Sequence, residues 1–270
     1  MPALLEVQDI TVRFGGLTAL YEVSAEIQQG EVVGIIGPNG AGKTTLFNVI
    51  CGFNRQTGGR LRWQGEPLRR HHPRRLAGLG IARTLQGLGL FPHLSVLENV
   101  MVGATVHARA WVGSAVVALP RSDRDERALQ DKAMSALDSL DIADDAGRLP
   151  GQLPYGVQKR VALARALVAD PELLLLDEPA SGLSSTEMHE LGDLLRGMKE
   201  QLSVLLVEHH MDLVMEVCDR IVVLDFGRVI ATGTPAEVRD DPRVLEAYLG
   251  EQVDETTHAI GAGEDDDAAG

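Results

Sequence analysis

The sequence predicts an α/β fold in which a parallel sheet is covered by helices, and three stretches carry that prediction. The first is Glu31-Val32-Val33-Gly34-Ile35-Ile36, an apolar run that reads as a buried strand. It leads through Gly37-Pro38-Asn39-Gly40-Ala41-Gly42-Lys43-Thr44-Thr45 into the apolar start of a helix, Leu46 to Cys51. The second is Leu173-Leu174-Leu175-Leu176, which ends in Asp177-Glu178-Pro179. The third is Ser203-Val204-Leu205-Leu206-Val207, which ends in Glu208-His209-His210. Strands apolar on both faces belong inside parallel sheets. In such sheets ligands gather at the carboxyl ends of the strands.

The first stretch fits the pattern G-x-x-x-x-G-K-[ST] in the context that gives it meaning, a strand before and a helix after. Glycines let successive backbone N–H groups point into one concavity with no Cβ in the way. The helix start adds unpaired N–H groups and the positive end of its dipole, which suit a polyphosphate. Lys43 can reach the β- and γ-phosphates and the Thr44 hydroxyl can ligate Mg²⁺. A chance match in a glycine-rich loop is the bland alternative, and the flanking strand and helix argue against it.

The earlier and later elements follow in order. Residues 4–34 read as three strands: Val7, Ile10, Val12 and Phe14 alternate loosely up to Gly15-Gly16, Val23, Ala25 and Ile27 alternate up to Gln28-Gln29-Gly30, and the run before the loop completes the set. Phe14 is open to two readings, an aromatic plate for an adenine base or ordinary edge packing. Thr57-Gly58-Gly59 leads into a short strand, Arg60 to Gly65, and then a basic run, Arg69 to Arg75. That run suits a solvated face; the acidic remainder argues against a nucleic-acid footprint. Arg83-Thr84-Leu85-Gln86 reads as a strand end passing into a loop at Gly87 to Pro92. Ser95 is expected to N-cap a helix, with Glu98 at capping-box spacing.

From about 95 to 150 the pattern is helical, and Asp125 to Leu140 is expected to place Ala128, Leu129, Ala133, Leu137 and Leu140 on one face. Leu153 to Gln158 opens a helix over Lys159 to Ala169, ended by Asp170-Pro171. Ser181 to Ser184 is a turn into a helix over Ser185–Gln201, and Met211 to Asp219 is a further helix. Arg220 to Leu224 and Arg228 to Ile230 form a hairpin about Asp225-Phe226-Gly227, before a last helix from Pro235 to Leu249.

Composition bounds the classes. The 270 residues are 44% hydrophobic and 24% charged, ordinary for a globular protein, with a net charge of −14. Half of that excess lies in residues 251–270, which hold seven acidic residues and no Lys or Arg. That tail is expected to be disordered and solvated. Cys51 and Cys218 sit in apolar runs and read as buried thiols of a reducing compartment. The start lacks the basic and apolar regions of a signal peptide. No uncharged apolar stretch reaches the ~18 residues a membrane span needs.

A carboxylate pair at a strand end is ambiguous alone, and a lone histidine is usually a satisfied core residue. Beside a phosphate loop, where strand order should bring them, the roles separate. Asp177 can hold Mg²⁺ through oxygen. Glu178 can orient or deprotonate a water in line with the γ-phosphate. His209 can donate to the γ-phosphate.

The order of these features resembles the nucleotide-binding subunit of an ATP-binding cassette (ABC) transporter, over about residues 4–250. The resemblance implies a P-loop NTPase with a RecA-like core (4–86 and 156–250), an N-terminal antiparallel β subdomain and an inserted α-helical lobe (about 87–155), ahead of the acidic tail (251–270). It implies ATP and Mg²⁺ as ligands. By motif, Phe14 matches the adenine-stacking position, and Gly37, Pro38, Asn39, Gly40, Ala41, Gly42, Lys43, Thr44 and Thr45 match the Walker A loop. Gln86 matches the Q-loop glutamine, which senses metal and γ-phosphate and couples to the membrane domain. Leu153 to Gln158, with Tyr155 and Gly156, stands in place of the signature motif. Leu173 to Glu178 matches Walker B, with Asp177 toward the metal and Glu178 as catalytic glutamate; Ser181 to Ser184 matches the D-loop and His209 the switch histidine. In that family two cassettes face each other, each signature completes the other's ATP site, and closure and reopening move the transmembrane partners.

Three stretches resemble the larger ATPase subunit of branched-chain amino acid importers: Arg83 to Gln86 with Leu90 to Val100, Leu153-Pro154-Tyr155-Gly156, and Glu208-His209-His210-Met211. This implies a heterodimer with a second ATPase subunit, two transmembrane permease subunits, an extracytoplasmic solute-binding protein, a place on the cytoplasmic face of the plasma membrane, and no nucleic acid. Other cargoes (urea, amides, lipid) and a cassette ATPase acting on nucleic acid are the alternatives. Against the usual Leu-Ser-Gly-Gly-Gln signature, Pro154 replaces the serine, Tyr155 the first glycine and Val157 the glutamine, and Ser184 ends the D-loop where many members have Asp. These departures imply that the two ATP sites of the assembly are unequal.

Overall fold

Alternation along the first strand slips by one residue, and the slip has a local cause. In the computed structural model, which describes residues 3–69, 71–84, 87–104 and 120–248, Leu5, Val7, Ile10 and Val12 are all buried. Between Val7 and Ile10 the register against the neighbouring strand shifts at Asp9, which takes a left-handed φ of 51°. An extra residue at a bulge re-aims the side chains beyond it, so the apolar set stays on one face. Ser24 holds the bulge, its hydroxyl accepting from the Asp9 N–H (2.9 Å) and donating to the Asp9 carboxylate (3.0 Å).

The chain divides into two units, one drawn from Met1–Gln28, Val33–Arg70 and Cys218–Gly270 and the other from Gln29–Val32 and His71–Val217. Elements are numbered in chain order. In the first unit, β1 (Leu5–Phe14), β2 (Leu17–Ile27), β4 (Gly58–Trp63) and β5 (Glu66–Pro67) form an antiparallel sheet in the order β2-β1-β4-β5. The buried strand β3 (Val32–Ile36) pairs in parallel with β9 (Arg220–Asp225), and β9 pairs antiparallel with β10 (Arg228–Gly233) in the expected hairpin. Helix α1 (Lys43–Ile50) follows β3 and buries Leu46, Phe47, Val49 and Ile50.

In the second unit β6 (Ile81–Arg83), β7 (Leu173–Asp177) and β8 (Ser203–Val207) run parallel in the order β8-β7-β6. Leu173 to Leu176 and the whole of β8 are buried, as apolar character on both faces requires. Among the described residues the α-helices of this unit are α2 (Val96–Ala104), α3 (Pro120–Asp138), α4 (Tyr155–Leu167), α5 (Ser185–Met198) and α6 (Met211–Val217). Helix α2 starts on the expected capping box: Glu98 accepts from the Ser95 N–H at 2.7 Å and its own N–H donates to the Ser95 hydroxyl at 3.2 Å.

Three details differ from the sequence reading. Helix α3 begins before Asp125, and its apolar face is shorter than expected: Ala133 and Leu137 are fully buried whereas Ala128 is exposed. Full burial of a leucine contributes about 1.5–3 kcal/mol, so the second half of α3, with Leu140 beyond it, anchors the helix. The last helix is broken: α7 (Pro235–Arg239) stops, and residues 242–248 form a separate helical segment. Pro242 causes this, since it lacks an N–H and disfavours helical backbone at Asp241. Helix α5 ends at Met198, three residues short of the expected Gln201. Neither cysteine is in a disulfide and both are buried, and burial, with Asp219 nearby, pushes the Cys218 thiol up to about 12. Gln86, residues 105–119 and the acidic tail 251–270 lie outside the described residues. Among the described residues no helix is long and apolar enough to cross a membrane.

Candidate functional site

In the first unit β3 delivers the chain into the glycine loop. A Cβ on Gly37 would lie 2.0 Å from the Leu224 carbonyl oxygen, so no other residue fits where the loop passes β9. Gly42 N-caps α1 with no side-chain acceptor, and a helix start of this kind suits an anion. Lys43 arches back over the loop, its ammonium donating to the carbonyls of Gly37 (2.6 Å) and Pro38 (2.8 Å). The β9–β10 turn clamps the loop from outside: the Gly227 N–H donates to the Ala41 carbonyl at 3.0 Å, and the Tyr21 N–H of β2 donates to the Gly227 carbonyl at 2.8 Å. Asn39, Gly40, Thr44 and Thr45 complete this loop and the first turn of α1. A glycine loop that leads into a helix N-terminus and carries a lysine fits a polyphosphate. Phe14 ends β1 in the same unit opposite Leu17, with its ring half-exposed.

The second unit brings the strand-end residues together. Asp177 closes β7, and its carboxyl is raised above the usual range, first by burial and then by Glu178, against the pull of Arg83. A divalent cation would favour the ionised form there. Glu178 takes a left-handed φ of 49°, and its N–H donates to the Val207 carbonyl of β8 at 2.8 Å. Non-glycine residues at such angles are uncommon and concentrate where surrounding structure over-determines them. The Glu178 carboxylate lies 4.0 Å from Nδ1 of His209. A carboxylate and an imidazole at that spacing can share the handling of one water or one phosphoryl oxygen.

The turn at 153–156 lies in the same unit. Pro154 occupies the N-cap of α4 and offers no side-chain acceptor, so the helix start is uncapped from within. It is held from outside. Tyr155 packs on the turn at Gly182, where a Cβ would stand 3.0 Å from the tyrosine ring. At Gly156 a Cβ would meet the Glu187 carboxylate at 2.2 Å. Glu187 is not free to yield, because its other oxygen accepts from the Ser184 N–H (2.9 Å) and hydroxyl (2.7 Å) in the capping box of α5. Tyr155, Gly156, Asp177, Glu178 and Glu187 line one cavity of about 580 Å³.

Residue pattern and geometry agree with known proteins. A family model described as ABC transporter matches residues 20–181, and one described as branched-chain amino acid ATP-binding cassette transporter matches residues 228–254. The chain belongs to the ABC transporter family. It is similar to the high-affinity branched-chain amino acid transport ATP-binding protein BraF of Pseudomonas aeruginosa, 40% identical over 92% of this chain and 98% of that one. It is 39% identical to LivG of Escherichia coli over the same shares. Among solved structures, a nucleotide-free cassette of an ABC transporter matches with TM-score 0.80 at 30% identity, over 92% of this chain and 99% of that chain. A cassette in its ADP conformation matches with TM-score 0.80 at 31% identity, over 93% and 100%. The ABC family couples ATP hydrolysis to transport, and this chain is an ATPase of that kind with an α/β, P-loop NTPase fold.

Sequence reasoning passed over three side chains that shape the site. Lys159 donates to the Pro179 carbonyl (2.5 Å) with its ammonium 5.4 Å from the Tyr155 ring centre; burial lowers its affinity for a proton, while Glu208 and Glu178 support the charge. Arg165 donates to the carbonyls of Gly89 (2.7 Å) and Leu88 (3.0 Å), tethering the loop just after Gln86 to α4. Glu208 is a fully buried carboxylate. Its signal was present, since a carboxylate directly after an all-buried strand requires partners.

Proposed function

We propose that this chain energises an importer of branched-chain, hydrophobic amino acids from the cytoplasmic face of the plasma membrane. The observation that carries the reading is the 40% identity to a branched-chain amino acid transport ATPase across nearly the full length of both chains. The match of residues 228–254 to a model specific to that branch supports it. The chain would work with a second cassette subunit, two permease subunits and an extracytoplasmic solute-binding protein. A bacterial ABC transporter cassette solved as a dimer, similar at TM-score 0.71 and 26% identity over 86% of this chain, supports pairing of cassettes. The domain reading is a cassette over 4–250, with core segments 4–86 and 156–250, a helical lobe at about 87–155, and a solvated tail.

In this reading the amides of Gly37 to Thr45 and the Lys43 ammonium hold the ATP phosphates, and Phe14 stacks the base. Thr44 and Asp177 would supply oxygen to Mg²⁺, with Gln86 as a further ligand, and the ion would neutralise phosphate charge. Glu178 takes a proton from the attacking water, and His209 donates to the phosphoryl group. Tyr155 and Gly156 face the partner's nucleotide. With no serine hydroxyl at Pro154, the site completed by this signature is the slower of the two.

The test is Glu178→Gln in the purified transporter. ATP binding should be retained and turnover should fall about 10²–10⁴-fold, the contribution of a positioned base. Unchanged steady-state hydrolysis would remove Glu178 from that role.

A further inference from the structure

Glu208 has no solvent contact, and its two oxygens face different segments. Oε1 accepts from the Ala180 N–H at 2.9 Å. Oε2 accepts from the His209 N–H at 2.7 Å, the His210 N–H at 3.1 Å and His210 Nδ1 at 3.0 Å, and lies 3.4 Å from Nδ1 of His209. Burial alone would raise its carboxyl, but the His210 ring and the amides of His210, Ala180 and His209 together hold it below the usual range. An ionised carboxylate only accepts, so His210 carries its proton on Nδ1.

Ala180 lies two residues beyond Glu178, at the start of the 181–184 turn. Glu178 is fixed on its other side by the bond from its N–H to Val207, the residue before Glu208. A short loop of contacts therefore runs Val207, Glu178, Ala180, Glu208, His209. We infer that Glu208 is a positioning residue that locks the switch histidine to the segment carrying Glu178, so that the two reach the phosphoryl group as one body. This rests on the catalytic reading of Glu178 and His209 given above. Nothing in the inference needs Glu208 to touch nucleotide.

The chemistry makes the idea testable with a near-isosteric change. Glutamine has one carbonyl oxygen and one NH₂. Whichever way the amide turns, one arm faces N–H groups with N–H groups, and that arm is lost. Aspartate keeps two accepting oxygens on a shorter stem.

The experiment uses the transporter complex carrying Glu208→Gln, Glu208→Asp, His209→Ala, or Glu208→Gln with His209→Ala. ATPase turnover and the KM for ATP are measured for each. Loss of one charge-assisted arm should lower kcat of Glu208→Gln about tenfold or more, with KM within about twofold of the parent. Glu208→Asp should fall between the parent and the glutamine variant. In the double variant the Glu208 change should add nothing beyond His209→Ala, as expected when one residue acts through the other.

A glutamine variant with the parent's kcat, a loss carried by KM, or losses that multiply in the double variant would each overturn the inference. Where Glu208→Gln does not fold, Glu208→Asp with and without His209→Ala takes its place, with the same required fall in kcat and the same non-additivity. Glu178→Gln is run alongside. Turnover that survives Glu178→Gln defeats the catalytic reading itself; turnover lost there but kept in Glu208→Gln defeats only the present inference.

Discussion

Two helix starts in this chain are built in opposite ways. At α1 the glycine loop makes the site from its own backbone: Gly42 is the N-cap, Gly37 lets the chain pass Leu224, and Lys43 folds back over its own carbonyls. At α4 the side chains that would make a site are replaced, by Pro154 at the cap and Tyr155 after it. What remains is a geometry held by neighbours, Gly182 beneath Tyr155 and the locked Glu187 beside Gly156. A site written into its own backbone is legible in its own residues. A site held by its neighbours can change its letters and keep its shape.

The comparison breaks most visibly at Lys43. Its ammonium is the one charged side chain of the loop, so Lys43→Ala should weaken ATP binding about 10–10²-fold, the worth of charge-assisted bonds, when titrated with a fluorescent ATP analogue. An unchanged affinity would mean that backbone alone holds the phosphates. The altered α4 start predicts an asymmetry. On the proposed pairing with a second cassette, replacing Glu178 and its counterpart by glutamine one at a time should reduce hydrolysis unequally, and equal losses would show that Pro154 and Tyr155 leave the two sites alike.

Gly156→Ala probes whether α4 is held from outside. Its methyl would displace Glu187 from the α5 capping box, and thermal or denaturant unfolding should show a loss of about 1–2 kcal/mol. The smallest effect is expected at Ser184. Ser184→Ala should cost about 1 kcal/mol through the lost cap. Ser184→Asp should recover only part of that, because its carboxylate can accept from the Glu187 N–H but cannot donate to the Glu187 carboxylate as the Ser184 hydroxyl does.

How far the sequence could be read follows the same division. The strands β3, β7 and β8 and the glycine loop were legible because burial on both faces and close backbone approach each demand particular residues locally. The slip at Asp9 looked like weak alternation because a bulge is set by a pairing strand, here through Ser24, fifteen residues away. The break before 242–248 is written in Pro242, a local signal that a single helix over Pro235 to Leu249 leaves out. Asp177, Glu178 and His209 stood out as strand-end residues, and the structure sets Glu178 and His209 side by side. Glu208, Lys159 and Arg165 were not legible as a set, because their partners are carbonyls and amides of residues up to 77 positions off, and a backbone group carries no sequence signature.

Glu178 sits at a left-handed φ of 49°, a conformation that glycine adopts freely and that disfavours most other residues by about 1 kcal/mol. On the role proposed for Glu178, selection for heat resistance and selection for turnover point in opposite directions at this one position. A library screened on stability alone would tend to enrich Glu178→Gly, and on that role the sturdier protein it returned would hold ATP without consuming it.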